Sequence, residues 1–177
     1  TPLYSSAASD VYKRQGQNTI FNKNSMSLHG VNVSVDSIDH VDNIYINASG
    51  NISIDHIGQN TSMMASDLIL NGVNISVHDI ENISDIFIDA SGNISLGNIG
   101  QNTNMNMSSL TLLAEAQIQT GSIDNIFEVT VTATESVYLG NIGLNTNMNM
   151  SSLNIVASGQ VQIGSIDNVS AVTVESV

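Results

Sequence analysis

From Ile38 to Ile57 the inward apolar pattern falls at Ile38, Val41, Ile44, Ile46, Ala48, Ile52, Ile54 and Ile57, with mostly polar residues between them. Steps of two describe strands that bury one face. Steps of three and four fit corners, where the chain turns yet still directs a side chain inward. The next stretch follows the same scheme with Leu68, Leu70, Val73, Ile75, Val77, Ile80, Ile83, Ile86, Ile88, Ala90, Ile94, Leu96 and Ile99. A helix would need a sustained period of about 3.6 residues, and these runs are too short and too β-branched for one. The pattern predicts an all-β chain.

Seven isoleucines punctuate it. Ile38, Ile57, Ile80, Ile99, Ile123, Ile142 and Ile166 are separated by 19, 23, 19, 24, 19 and 24 residues, so short and long units alternate. A longer period overlies them: Gly16, Gly58, Gly100 and Gly143 open the segments GQNT, GQNT, GQNT and GLNT, 42 or 43 residues apart. Self-similarity at a fixed period of this size means one structural unit stacked several times. A coil of 19 to 24 residues cannot bury its own apolar face, but stacked coils pair strand to strand and fill a shared interior. The predicted fold is therefore a parallel β-helix (β-solenoid), with alternating 19- and 23/24-residue coils about 4.8 Å apart. The crossover rule favours right-handed winding. Residues 16–177 supply roughly seven to eight coils, a rod on the order of 35 Å long. One inward column is expected to contain Ile46, Ile88, Val131 and Val174. Asn60, Asn102 and Asn145 fall at matching corners of the long coils, and Asn82, Asn125 and Asn168 at corners of the short ones. Such amides either hydrogen-bond along the stack or adopt the left-handed conformation of tight turns.

Residues 1–15 share nothing with the repeats. The segment YSSAASDVYKRQ, residues 4–15, resembles a translated sequencing-adapter remnant and is set aside from the fold. On that reading the chain is a fragment, a solenoid segment over 16–177 truncated at both ends. Setting it aside sharpens the charge. Two of the three basic residues, Lys13 and Arg14, lie in it, as does one of the sixteen acids, Asp10. The repeats then carry fifteen carboxylates against Lys23 alone, a formal charge of −14. Nucleic-acid affinity rests on Lys and Arg neutralising phosphates, so nucleic acid is excluded as a partner. With no cysteine, there is neither a disulfide framework nor a thiolate metal site. No stretch approaches the roughly 18 to 20 continuous apolar residues of a membrane-spanning helix, and no membrane insertion is expected.

The phrases IFIDASGNISLGNIG, IYINASGNISIDHIG and LNIVASGQVQIGSID resemble the repeats of large secreted, filamentous-haemagglutinin-like adhesins, whose pattern is close to LxIxAxGxIxLGxI. The resemblance covers residues 16–177. It implies a right-handed parallel β-helix rod, exported to the surface of a Gram-negative bacterium and used in adhesion or biofilm formation. A weaker resemblance, through QIGSIDNVSA, is to curli-type fibre subunits, which would imply a fibre-forming role instead.

Candidate chemistry is sparse. Asp39, Glu81, Asp124 and Asp167 each follow a short-coil isoleucine, and calcium is the obvious suggestion. Successive members would sit two coils, about 9.6 Å, apart, whereas calcium takes oxygens at about 2.3–2.6 Å. Solvated surface charge is the expected reading. The histidines, His29, His40, His56 and His78, do not recur with the repeat: His40 aligns with Asn82, Asn125 and Asn168, and His56 with Asn98 and Asn141. A metal site built by the repeat would recur with it, so no metal is assigned.

A polysaccharide-acting β-helix enzyme needs carboxylate pairs at a defined separation. Asp36 with Asp39 and Asp79 with Glu81 are the candidates, but they belong to the repeat and its turns. No catalytic or cofactor-binding residue is assigned and no cofactor is expected. Thr130, Thr132 and Thr134 alternate outward, but the corresponding residues one repeat earlier are Phe87, Asp89 and Ser91, so they do not form a threonine array of the ice-binding kind. Tyr45 and Phe87 mark a small outward apolar stripe, a contact for carbohydrate or a neighbouring rod. The Asn-x-Ser matches at Asn32, Asn47, Asn51, Asn74, Asn93 and Asn168 arise from composition. The functional expectation is a structural rod of an extracellular adhesin, not an enzyme. Its coils would pack on one another, with any host or surface glycan or protein ligand held elsewhere in the protein.

Overall fold

The computed structural model describes residues 12–14, 23–59, 64–103, 106–146 and 149–177. Its strands are, in order, β1 (Tyr12–Arg14), β2 (Lys23–Gly30), β3 (Val33–Ile38), β4 (Val41–Ala48), β5 (Ile52–Ile57), β6 (Ala65–Gly72), β7 (Ile75–Ile80) and β8 (Ile83–Ala90). There follow β9 (Ile94–Ile99), β10 (Met107–Ala114), β11 (Ile118–Gln119), β12 (Ile126–Ala133), β13 (Val137–Leu139), β14 (Met150–Ala157), β15 (Val161–Ile163) and β16 (Val169–Ser176). Strands alternate between two sheets, every pairing is parallel, and no helix occurs among the described residues. The even-numbered strands form one sheet in the order β2 to β16; β3 to β15 form the other, with β1 of the 1–15 segment on its edge. The architecture is a parallel β-solenoid with two strands per coil.

Register follows the hydrophobic pattern rung by rung. Leu28, Ile46, Leu70, Ile88, Leu112, Val131, Ile155 and Val174 form one column, which contains the four residues expected to share it. In the facing sheet the isoleucine markers Ile38, Ile57, Ile80, Ile99, Ile123, Ile142 and Ile166 form another. A one-residue slip would turn every inward side chain to solvent, so these columns hold the register. From Ile57 to Ile142 every marker is wholly buried. Burying each such side chain contributes roughly 1.5–3 kcal/mol. The two inner faces merge into a single contiguous core.

One inward assignment needs correction. Val73 is 36% exposed, and Val31, two coils earlier at the same corner, is 44% exposed. Both follow the end of an eight-residue strand, where the chain swings outward before the next strand begins.

Candidate functional site

Three stacked corner systems carry most of the polar chemistry. In the first, short turns and long loops alternate. His40, Asn82, Asn125 and Asn168 hold the short turns in the left-handed region, with φ of 56°, 54°, 57° and 52°. Asparagine tolerates that region because its short amide bonds locally. Gly58, Gly100 and Gly143 start the long loops at φ of 75°, 71° and 69°. A Cβ on Gly58 would lie 1.9 Å from the Glu81 carbonyl oxygen, so this position needs glycine for space as well as conformation.

The turn asparagines do more than bend the chain. The Nδ2 groups of Asn82, Asn125 and Asn168 donate to the carbonyls of Gly58, Gly100 and Gly143 at 2.8, 2.8 and 2.9 Å. In the other direction Thr103 and Thr146 donate through Oγ1 to Oδ1 of Asn82 and Asn125, at 2.6 and 2.8 Å. Each of these two amides therefore clasps the loop of the coil before it and the loop of the coil after it. Left-handed turn and axial hydrogen bond prove to be one device. Asn60 lies outside the described residues.

The acidic column at this corner is not the solvated surface that its spacing suggests. Asp39, Glu81 and Asp124 are 8%, 4% and 0% exposed, while Asp167 is exposed. Asp39 accepts from Ser37 Oγ at 3.0 Å, Glu81 from Asn102 Nδ2 at 2.7 Å, and Asp124 from the Asn145 backbone N–H at 3.0 Å. Asn102 and Asn145 thus pin their long loops to Glu81 and Asp124. Asp124 Oδ2 is buried and has no hydrogen bond among the described residues.

At the second corner, between the even strands and the odd ones, side chains cap the backbone of the next coil. The Oδ1 atoms of Asn32, Asn51, Asn74 and Asn93 accept the backbone N–H of Asn51, Asn74, Asn93 and Gln117 at 2.8, 3.3, 3.0 and 3.1 Å. Asn74 Nδ2 also donates to Asn51 Oδ1 at 3.0 Å. These residues carried the Asn-x-Ser matches. Their identity is set by the ladder, and the signal available in sequence was their recurrence one coil apart.

The third system lies just before the isoleucine markers. Asp79 Oδ1 accepts the Asn98 N–H at 3.0 Å, Asn98 the Ser122 N–H at 3.0 Å, and Asn141 the Ser165 N–H at 3.1 Å. The imidazoles of His56 and His78 both approach Asp79 Oδ2, at 3.6 and 3.7 Å. Their rings meet edge to face with centroids 5.4 Å apart. No group of three or more His, Asp or Glu side chains is arranged to hold a metal ion among the described residues. The carboxylates paired in sequence, Asp36 with Asp39 and Asp79 with Glu81, are engaged separately. Asp36 is exposed on a strand, Asp39 and Glu81 are buried, the latter bonded to Asn102 of a long loop, and Asp79 serves the histidines and Asn98.

The outer face of the even-numbered sheet is the remaining candidate. Tyr45, Ile69 and Phe87 occupy successive rungs of one outward column, so the stripe marked by Tyr45 and Phe87 is continuous. Thr111, Thr130, Asn154 and Thr173 continue that column, and the mixture confirms that no threonine array forms. Beside the stripe lies a shallow groove of about 310 Å³, lined in part by Asn47, Asn71, Val73, Asp89, Ser91 and Glu115. Its polar walls are amides, hydroxyls and carboxylates, with Val73 and Ala48 between them. Comparison with family models, curated proteins and solved structures finds no match for this chain.

Proposed function

We propose that this chain is a structural rod segment of an extracellular or cell-surface adhesin, serving adhesion or biofilm formation without chemistry of its own. The observation that carries the reading is the continuity of the inward columns through every coil, with polar corners devoted to stacking one coil on the next. Regular stacking of this kind extends a chain along one axis at low cost in sequence variety. The resemblance of IFIDASGNISLGNIG and its counterparts to haemagglutinin-type repeats supplies the cellular setting. The strongly acidic composition suits an exposed rod that must not collapse on its neighbours.

The test is to express the gene containing this segment in a Gram-negative host and label intact cells with an antibody raised against the repeats. Surface labelling, together with loss of biofilm when the segment is deleted, is expected. Labelling only after lysis, or turnover of polysaccharide by the purified chain, would refute the proposal.

A further inference from the structure

The outer stripe and the groove beside it share one electrostatic property. Phe87 is 37% exposed, and Tyr45 and Ile69, on the two preceding rungs, are half-buried. The His29 ring, one coil earlier in the neighbouring Asn47–Asn71–Asp89 column, packs at 5.6 Å from Tyr45. Two residues along the strand from Phe87, about 6.6 Å away, Asp89 points to the same side. It pairs in register with the half-buried Leu113. Glu115, one coil further on, lines the same groove. Asp89 and Glu115 are both exposed, and no hydrogen bond or ion pair engages either carboxylate among the described residues.

An aromatic face beside unengaged carboxylates attracts a cation. The negative face of a ring draws an ammonium or guanidinium group, and a carboxylate accepts its N–H donors as charge-assisted hydrogen bonds. The rest of the molecule reinforces the preference: the repeats carry a formal charge of −14 with Lys23 as their only basic residue, a field that concentrates cationic ligands and repels anionic ones. Asn47 and Asn71, on the groove wall, can bond to a peptide backbone. Repeating rungs about 4.8 Å apart suit a ligand that is itself extended and repetitive.

We infer that the Tyr45–Ile69–Phe87 stripe and the Asp89/Glu115 groove together form a docking site for an extended cationic peptide segment rich in arginine or lysine. This goes beyond the rod function, because it gives the rod wall a partner of its own whether or not the protein serves in adhesion.

Fluorescence anisotropy of labelled oligoarginine against the full chain tests it, with a neutral β-glucan oligosaccharide and an oligoglutamate as comparison probes. Saturable binding of oligoarginine that weakens with added salt is expected. Phe87→Thr, which installs the residue type found at Thr111 on the next rung, should weaken it by about three- to fivefold, the loss of one exposed cation–π contact. The pair Asp89→Asn and Glu115→Gln should weaken it further. Asp36→Asn with Asp55→Asn removes the same charge from exposed positions on the other sheet and should leave affinity within about twofold, a difference below 0.5 kcal/mol. Circular dichroism of each variant confirms that the fold is kept. The inference is overturned if the control pair weakens binding as much as the groove pair, if Phe87→Thr has no effect, if oligoarginine does not bind saturably, or if the neutral oligosaccharide binds more tightly.

Discussion

Replacing Asn125 by alanine removes both halves of a clasp at once. Its Nδ2 donates to the Gly100 carbonyl at 2.8 Å and its Oδ1 accepts from Thr146 Oγ1 at 2.8 Å, each bond contributing about 1 kcal/mol net. Alanine must also occupy φ 57° without the local bonding that lets asparagine do so, at a further cost of about 1 kcal/mol. The expected destabilisation is about 3 kcal/mol. Asn125→Gly separates the contributions, since glycine accepts the left-handed backbone and loses only the two bonds, about 2 kcal/mol. Because stacked coils open in local units, native-state hydrogen exchange at Ile123, Asp124 and Gly143 is the suitable assay. Their N–H groups bond across coils at this corner, to Asn141, Ile99 and Ile123. Exchange should accelerate by about 160-fold in Asn125→Ala and about 30-fold in Asn125→Gly. Equal rates for the two variants would refute the conformational part of the reasoning. A change under twofold in both would refute the clasp.

Other substitutions probe the remaining features. Gly97→Ala should destabilise strongly, because its Cβ would lie 1.7 Å from the His78 carbonyl oxygen; Gly30→Ala, whose nearest neighbour is 3.5 Å away, should instead stabilise by about 0.5 kcal/mol through the unfolded chain, both read by denaturant titration. Ile88→Ala in the middle of its column should cost about 2–5 kcal/mol, and an unchanged midpoint in urea would contradict the assigned column. Asp124→Asn should raise the melting temperature, since the carboxyl is fully buried, its Oδ2 has no hydrogen bond among the described residues, and an amide costs less to bury while keeping the Oδ1 acceptor. Asp124→Ala should lower it by also removing the acceptor for the Asn145 N–H; calorimetry of the two variants distinguishes these outcomes.

Inward positions were legible because burial imposes a period, and the period survives in the sequence: Ile46, Ile88, Val131 and Val174 share a column as their spacing demands. Neighbour relations were harder to read. Aligning the chain at 42 or 43 residues compares coils two rungs apart, so Tyr45 and Phe87 are matched while Ile69, which stands between them, is passed over. The same offset hid the ladder from Asn32 to Gln117, whose members lie 19, 23, 19 and 24 residues apart. Burial of Asp39, Glu81 and Asp124 was not legible at all. A carboxylate on the outer side of a turn is solvated unless a loop from the next coil covers it, and the sequence records loop length but not loop direction. Val73 misled for a related reason, since an apolar residue at a corner satisfies the step pattern whichever way the corner swings.

The alternation at the clasped corner constrains how such a chain can change length. The long loops at Gly100 and Gly143 rest on short turns, with Asn102 and Thr103 seated on Glu81 and Asn82 and with Asn145 and Thr146 seated on Asp124 and Asn125, and the next short turn closes over the Gly100 loop through Asn125. Deleting a single coil would bring two loops, or two short turns, into contact and leave both sets of donors and acceptors without counterparts. Deleting or duplicating a pair restores every junction. Unequal recombination between such repeats therefore yields a foldable product only in pairs of coils, so related rods would differ in length by multiples of about 9.6 Å.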